Sequence, residues 1–331
     1  MASRYEELFG ELEEAFPSPG GRLAQLPDAL RALATHGGRV EAELHPIDEQ
    51  LMGRVLAEPV PLALGEDQQP IVLAPGLVLT AFHLGLLAAG GLEGAPVRRQ
   101  VQVSVLAVPG DAGEDLDAAL LQLSTQLSSW PVAVHSLGTA EAGESGLLEV
   151  LAQGVASDLC GVACSERARP ALQDAARKLG ARTLFDGILC SPGSQTFAMK
   201  RHASLLLSFP TDPEPAFLMH QLVLGSCLAS LLGIPPAAAQ ELPSEGDLPQ
   251  TDREALLMPA VHVRSRLGPA VKPLGAPGKP SAADVLGATG VIYLPPHSLP
   301  RERGDLVRVL PISARRAGPP VEAGPAEEAR R

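Results

Sequence analysis

Apolar positions recur at two different spacings along this chain, and the change of spacing divides it. Tyr5, Leu8, Leu12 and Phe16 fall at helical intervals among Glu6, Glu7, Glu11, Glu13 and Glu14. That predicts an amphipathic helix with a solvated acidic face. Pro17-Ser18-Pro19-Gly20-Gly21 stops it. Pro27 opens a second short helix, in the first-turn position that proline favours. A third is expected from about Ile47 to Leu56. Glu58-Pro59-Val60-Pro61-Leu62 must be extended, because a residue before proline is pushed out of the α region. Thr80 is positioned to N-cap a helix running to Ala89, with Gly90-Gly91 as its stop. Residues 1–95 therefore read as a helical N-terminal region with an extended arm.

Residues 98–233 change period. Val101, Val103, Val105 and Ala107 alternate with Gln102, Ser104, Leu106 and Val108. Both faces are fairly apolar, as a sheet covered by helices requires. Leu116, Leu120, Leu123, Leu127 and Trp130 mark one face of a helix. Further strands are expected at Pro131–Leu137, Asp158–Ala163, Thr183–Leu189 and Ser204–Phe209. A helix with Pro170, Leu172, Ala176 and Leu179 ends at Gly180. Pro215 opens a nearly all-apolar helix that Gly233 closes. Alternating strands and helices predict an α/β domain with a largely parallel sheet.

Residues 234–256 read as a polar, Pro-rich linker. Four short strands follow within 257–312: Leu257–Val263, Ala270–Leu274, Val291–Leu294 and Leu306–Leu310. A helical turn capped by Ser281 separates the second from the third. Gly/Pro turns between them predict a small β barrel. Residues 313–331 lack periodicity and read as a disordered tail.

Charge then narrows the partners. The chain has 331 residues and a formal net charge of −12, which argues against nucleic acid, since phosphate neutralisation needs surplus Lys and Arg. Aromatics are only 3%, too few for base-stacking platforms. The longest apolar run, Leu218–Leu232, is broken by His220, Gln221, Gly225, Ser226 and Ser230, so it suits a buried helix better than a membrane span. No apolar h-region follows Met1, and the cysteines number only four, Cys160, Cys164, Cys190 and Cys227. A cytoplasmic protein with reduced structural thiols is expected.

Candidate chemistry gathers after the α/β strands, where ligands sit in open sheets of this kind. Pro109-Gly110-Asp111 follows the first strand. Gly110 would admit close backbone approach, and Asp111 would take a proton or simply cap the next helix. Ser191-Pro192-Gly193-Ser194 could offer N–H and hydroxyl donors to an anion, as a nest does, or form an ordinary turn. Thr211, Asp212 and Pro213 precede the apolar helix, whose N-terminus attracts anions, but Asp212 and Glu214 would repel them. Lys200-Arg201-His202 reads as a solvated hairpin tip or a small anion-steering patch. The His and Cys spacing defines no metal site.

In order, these segments resemble the MoeA/gephyrin family of molybdenum-cofactor biosynthesis proteins, in a reduced form. Gly53-Arg54-Val55-Leu56-Ala57-Glu58-Pro59-Val60 is similar to the family's G-R-[VI]-L-A-x-[DP]-[VI]. Leu73-Ala74-Pro75-Gly76-Leu77 resembles its P-A-G segment, and Val97–Val105 its V-x-[RK]-x-x-[RK]-V entry strand. Pro109-Gly110-Asp111 stands where the family has T-G-D-E, and Ser191-Pro192-Gly193-Ser194 where it has K-P-G-K-P. Gly290–Pro295 and Gly304–Val309 resemble its last β lobe. The resemblance covers roughly residues 40–312.

It implies a MogA/MoeA-like three-layer α/β domain between a helical N-terminal region and a small C-terminal β barrel. The activity it implies is insertion of molybdate into adenylylated molybdopterin, with magnesium, in a homodimer. Asp111 would be the catalytic carboxylate. Gly110, Ser165, Pro192, Gly193, Ser194, Thr211, Asp212 and Pro213 would hold the pterin. The departures point elsewhere. Only Gly65–Pro70 fills the place of the family's inserted β lobe. The T-S-G-G-V-S loop is replaced by Gly161–Arg167, and L-P-G-N-P by Phe209–Pro213. Two lysines have become Ser191 and Ser194. Each lost charge-assisted contact costs on the order of 1.5–3 kcal/mol, and a micromolar affinity is only about 8 kcal/mol in all. The expectation is a non-catalytic or strongly diverged relative that serves as a binding or scaffold subunit, with other cofactor-synthesis proteins or a molybdoenzyme as partners. The alternative is an active molybdotransferase.

Overall fold

A computed structural model describes residues 23–62, 71–111, 114–141, 144–266 and 268–312. The helix expected at 5–16, the connector 65–70 and the tail lie outside them.

The N-terminal region holds more strand than its sequence suggests. Helix α1, Leu26–Gly37, carries Pro27 in its first turn. Strand β1, Ala42–Pro46, follows. The helix expected from Ile47 to Leu56 does not form. Asp48 caps a single 3-10 turn, Glu49–Leu51, and Met52 is already extended. The backbone beyond it is used otherwise: Gly53 N–H donates to Leu79 O, Leu79 N–H to Arg54 O, and Leu56 N–H to Leu77 O. Strands β2, Val60–Leu62, and β3, Ile71–Leu73, pair antiparallel. Helix α2, Ala81–Ala89, starts at Thr80 in a capping box that His83 completes. Strand β4, Gly94–Arg98, returns to pair with β1. Leu51, Leu56, Leu62, Leu79, Leu87 and Val97 form this lobe's core.

The central domain runs β5 (Val101–Val108), α3 (Asp117–Leu127), β6 (Val132–Thr139), α4 (Glu144–Gly154), β7 (Leu159–Cys164), α5 (Arg169–Lys178) and β8 (Arg182–Phe185). The short β9 (Cys190–Ser191), then β10 (Phe197–Arg201) and β11 (Ser204–Phe209), follow. The sheet order is β6-β5-β7-β11-β10-β8, and β10 alone runs against the rest. Val103, Val105, Leu159 and Leu207 face α1 and α3, while Leu106, Cys160, Val162 and Leu206 face α4 and α5. This is a helix–sheet–helix sandwich. The strand expected to reach Leu189 stops at Phe185. Asp186 turns to accept hydrogen bonds from Arg169 and Gln173, and β9 leaves the sheet to pair with a C-terminal strand.

One apolar helix then crosses the core in three parts: α6 (Pro213–Met219), a π turn (His220–Leu224) and α7 (Gly225–Leu232). It opens two residues earlier than Pro215. Its length and hydropathy would suit a membrane span, but 78% of its most apolar stretch is buried within the protein.

The segment read as a linker carries strand β12, Gln240–Pro243. Strands β13 (Ala255–Ser265) and β14 (Gly268–Pro273), helix α8 (Ala282–Gly287), β15 (Gly290–Leu294) and β16 (Leu306–Pro311) complete the chain. Ser281 caps α8 in a capping box with Asp284. The sheet order is β12-β16-β15-β13-β14, and a parallel bridge from Ser244 to Val271 joins its two ends. Ala255, Leu257, Val291, Tyr293 and Leu310 share the core of the α/β domain.

An ion pair locks the entry to β5. Arg99 Nη1 and Nη2 donate to the Asp158 carboxylate, at 2.7 and 2.6 Å, and Gln102 N–H donates to it at 2.8 Å. Burial alone would push the Asp158 carboxyl up. The bonds from Arg99 and Gln102 outweigh it and hold the pKa below the usual value. Asp158→Asn should cost about 2 kcal/mol in urea denaturation at pH 7, less than a fully buried pair because Arg99 keeps some water. A loss under about 0.5 kcal/mol would place this pair with ordinary surface pairs.

Candidate functional site

Register alone brings the sequence-derived candidates to one edge of the central sheet. Val108 pairs with Cys164, Ala163 with Phe209, and Ser208 with Phe197. The residues just beyond those positions are 109–111, 165–167, 210–213 and 192–196. The chain passes from β5 outward to β6 and then back across β5 to β7, so the crevice between β5 and β7 is the topological switch point. Open α/β sheets bind ligands there.

Two loops meet closely at this point. A Cβ on residue 110 would lie 2.7 Å from Ser165 Oγ and 2.8 Å from Arg167 Cβ, so only glycine fits. Gly110 N–H donates to Glu114 Oε2 at 2.7 Å. Arg167 Nη1 donates to Asp111 Oδ2 at 2.6 Å, with both side chains mostly exposed. Arg167 thus takes one carboxylate oxygen of Asp111. Sequence reasoning passes over Arg167, because the pair spans 56 residues and no local pattern announces it. A second arginine, Arg169, lies deeper. It donates to the Asp186 carbonyl and carboxylate and stacks over the Phe197 ring.

The other loops are more closed. Pro192 and Gly193 are buried, with Gly193 against Met219, and Thr196 N–H donates to Gly193 O at 3.1 Å. Ser194 is exposed, while its carbonyl accepts from Ile188. Asp212 occupies the N-cap position of α6 without making a capping bond, and it faces solvent. Thr211 is half-buried, and Pro213 O accepts from Gln122 at 2.9 Å. Among the described residues, the loops at this edge thus carry the carboxylates of Asp111, Glu114, Asp212 and Glu214 together with the exposed guanidinium of Arg167.

Beneath it lie groups that chemistry could use but packing withholds. Cys164 is buried, and burial pushes its thiol up to about 12. Cys160 and Cys227 are raised likewise. His220 stands edge-on to Phe209, 4.7 Å between ring centres, and neither ring nitrogen has a hydrogen-bond partner. Burial lowers its pKa to about 3. Lys200 and Arg201 flank the predicted hairpin tip, where His202 has φ 51°, but they bond to the carbonyls of His36 and Leu179. Among the described residues no three His, Cys, Asp or Glu side chains converge as metal ligands.

A doubly wound α/β domain with a crevice at its switch point, flanked by an N-terminal lobe and a C-terminal sheet, defines the class. Solved structures make it specific. A molybdenum cofactor biosynthesis protein from Pyrococcus furiosus superposes with a TM-score of 0.67 at 20% identity, over 87% of this chain and 99% of that one. A molybdopterin biosynthesis MoeA protein from Pyrococcus horikoshii gives 0.66 at 14% identity, over 88% and 99%. A second MoeA structure from that organism gives 0.64 at 13%. No protein-family model and no curated protein sequence matches. The chain has the MoeA fold.

Proposed function

We propose that this protein serves molybdenum cofactor biosynthesis as a molybdopterin-pathway binding or scaffold subunit rather than as a molybdotransferase. The fold supports the pathway. The crevice supports the role: Arg167 is held by Asp111, and the loops at the same sheet edge add the carboxylates of Glu114, Asp212 and Glu214. Molybdate and a phosphate-bearing pterin are anions, and such guests need free N–H donors and cations. Gly110 N–H is already committed to Glu114, and Gly193 is buried. A homodimer fits the same reading, and light scattering at micromolar concentration should find twice the chain mass; a monomer would contradict it.

The test is complementation. Expression in a strain lacking the transferase should not restore molybdoenzyme activity. Rescue that disappears in Arg167→Ala would establish the alternative, an active transferase using that guanidinium. Pull-down from the same cells should recover a cofactor-synthesis protein or a molybdoenzyme.

A further inference from the structure

The hairpin tip Lys200-Arg201-His202 closes a corner of the central sheet at the end away from the crevice, where β8 begins. From Arg177 to Arg201 the chain carries five cations and one carboxylate, although acidic residues outnumber basic ones in the whole chain, 38 to 26. That carboxylate, Asp186, accepts from Arg169 and Gln173. Lys200 stands directly opposite Arg182 across the strand pair, a like-charge placement that costs stability. Burial, then Arg182 and Lys200, hold the His36 imidazole below its ordinary pKa. Arg177 and Lys178 sit in the last turn of α5. Lys200 Nζ donates to His36 O, and Arg201 Nε to Leu179 O at 2.8 Å. A neutral carbonyl positions a cation without cancelling its charge. Among the described residues no carboxylate pairs with Arg182, Lys200 or Arg201.

An open strand border coincides with these charges. β8 is the last strand of its sheet. Ala24 pairs beyond its far end, at Ile188, and Arg182–Phe185 meet no second strand among the described residues. Such a border offers main-chain N–H and C=O groups to an extended chain. Cations along it repel basic strands and leave an acidic strand as the complement.

We propose that the β8 edge takes an extended, carboxylate-rich segment of a partner protein as an added strand. Strand addition draws affinity from main-chain bonds and specificity from alternate side chains. Alternate carboxylates meet the field of Arg182 and, one strand further in, Lys200. Nucleic acid fits less well. The net charge of −12 opposes a long polyanion, and the rings of these strands, Phe185 and Phe197, are buried away from any base. Corner and crevice lie at opposite ends of the sheet, so this surface is independent of the role proposed for the crevice.

The test uses the full chain and a short, capped, labelled peptide in which Glu alternates with Thr. Fluorescence anisotropy should show binding that weakens as salt rises, and replacing every Glu by Gln should abolish it. Arg182→Glu should weaken binding at least about tenfold, because it turns an attraction into a repulsion, while Arg182→Lys should keep it. Amide hydrogen exchange at Arg182–Phe185 should slow when the peptide binds. Equal binding of the Glu and Gln peptides would overturn the proposal. Binding of neither would do the same, leaving the cations as guards of a bare edge. So would binding that leaves those amides unchanged, or displacement of the peptide by an equal concentration of duplex DNA, which assigns the corner to nucleic acid.

Discussion

Acidifying the protein from pH 7 to pH 5 removes about 2 kcal/mol of stability through His220 alone. Burial holds this imidazole neutral, with its pKa at about 3 against 6.5 in the unfolded chain. Below pH 6.5 the unfolded chain takes up a proton that the folded chain refuses until about pH 3. The contribution of His220 is therefore complete above 6.5 and is lost progressively between 6.5 and 3. Urea denaturation at both pH values, on wild type and His220→Leu, isolates it: the wild type should lose about 2 kcal/mol more than the variant. Equal losses would mean that the ring reaches water. At pH 7 the variant should be no less stable than wild type. Neither ring nitrogen is hydrogen-bonded, and an orphaned buried polar group costs about 1–3 kcal/mol.

Gly193→Ala should be the most damaging small substitution at the candidate site, lowering stability by about 2–5 kcal/mol. Residue 193 has φ 114°, where a side chain costs about 1–3 kcal/mol. A Cβ there would stand 2.5 Å from Met219 Sδ and 2.6 Å from its Cε. Overpacking of that kind adds about 1–3 kcal/mol. The contact couples the 191–194 loop to α6, and through it to the neighbouring π turn, so damage should spread to Thr211–Pro213. Chemical denaturation measures the loss. A change below about 1 kcal/mol would show that this loop re-forms freely, and its role would then be one of ligand contact rather than packing.

Sheet and helix periods were legible where local pattern and tertiary demand agree. The alternation at Val101–Val108 and the apolar run Ser204–Phe209 become β5 and β11 at those bounds. The caps Thr80 and Ser281 start their helices. Sequence reasoning fails where distant partners decide. Ile47–Leu56 has helical spacing, but its backbone pairs with residues 77–79. Helix α4 escapes notice because its apolar stripe, Leu147 and Leu151, is brief, although Gly154 ends it as a stop signal would. Strand β10 is hidden because Lys200 and Arg201 make it look like a turn, although the turn proper begins only at His202. At the candidate site, the ends of the expected strands bring the candidate loops to one sheet edge. The Arg167–Asp111 pair, the burial of Gly193 and the orphaned ring of His220 depend on contacts that no single stretch of sequence encodes.

The bridge from Ser244 to Val271 has a consequence for behaviour in concentrated solution. With β12 and β14 brought together, and Glu245 N–H donating to Val271 O at 2.8 Å, the C-terminal sheet offers few free amides to a stranger's strand. Sheets that present such borders recruit neighbours and grow into fibres. Here the C-terminal sheet has its seam stitched, so self-association through that border is disfavoured.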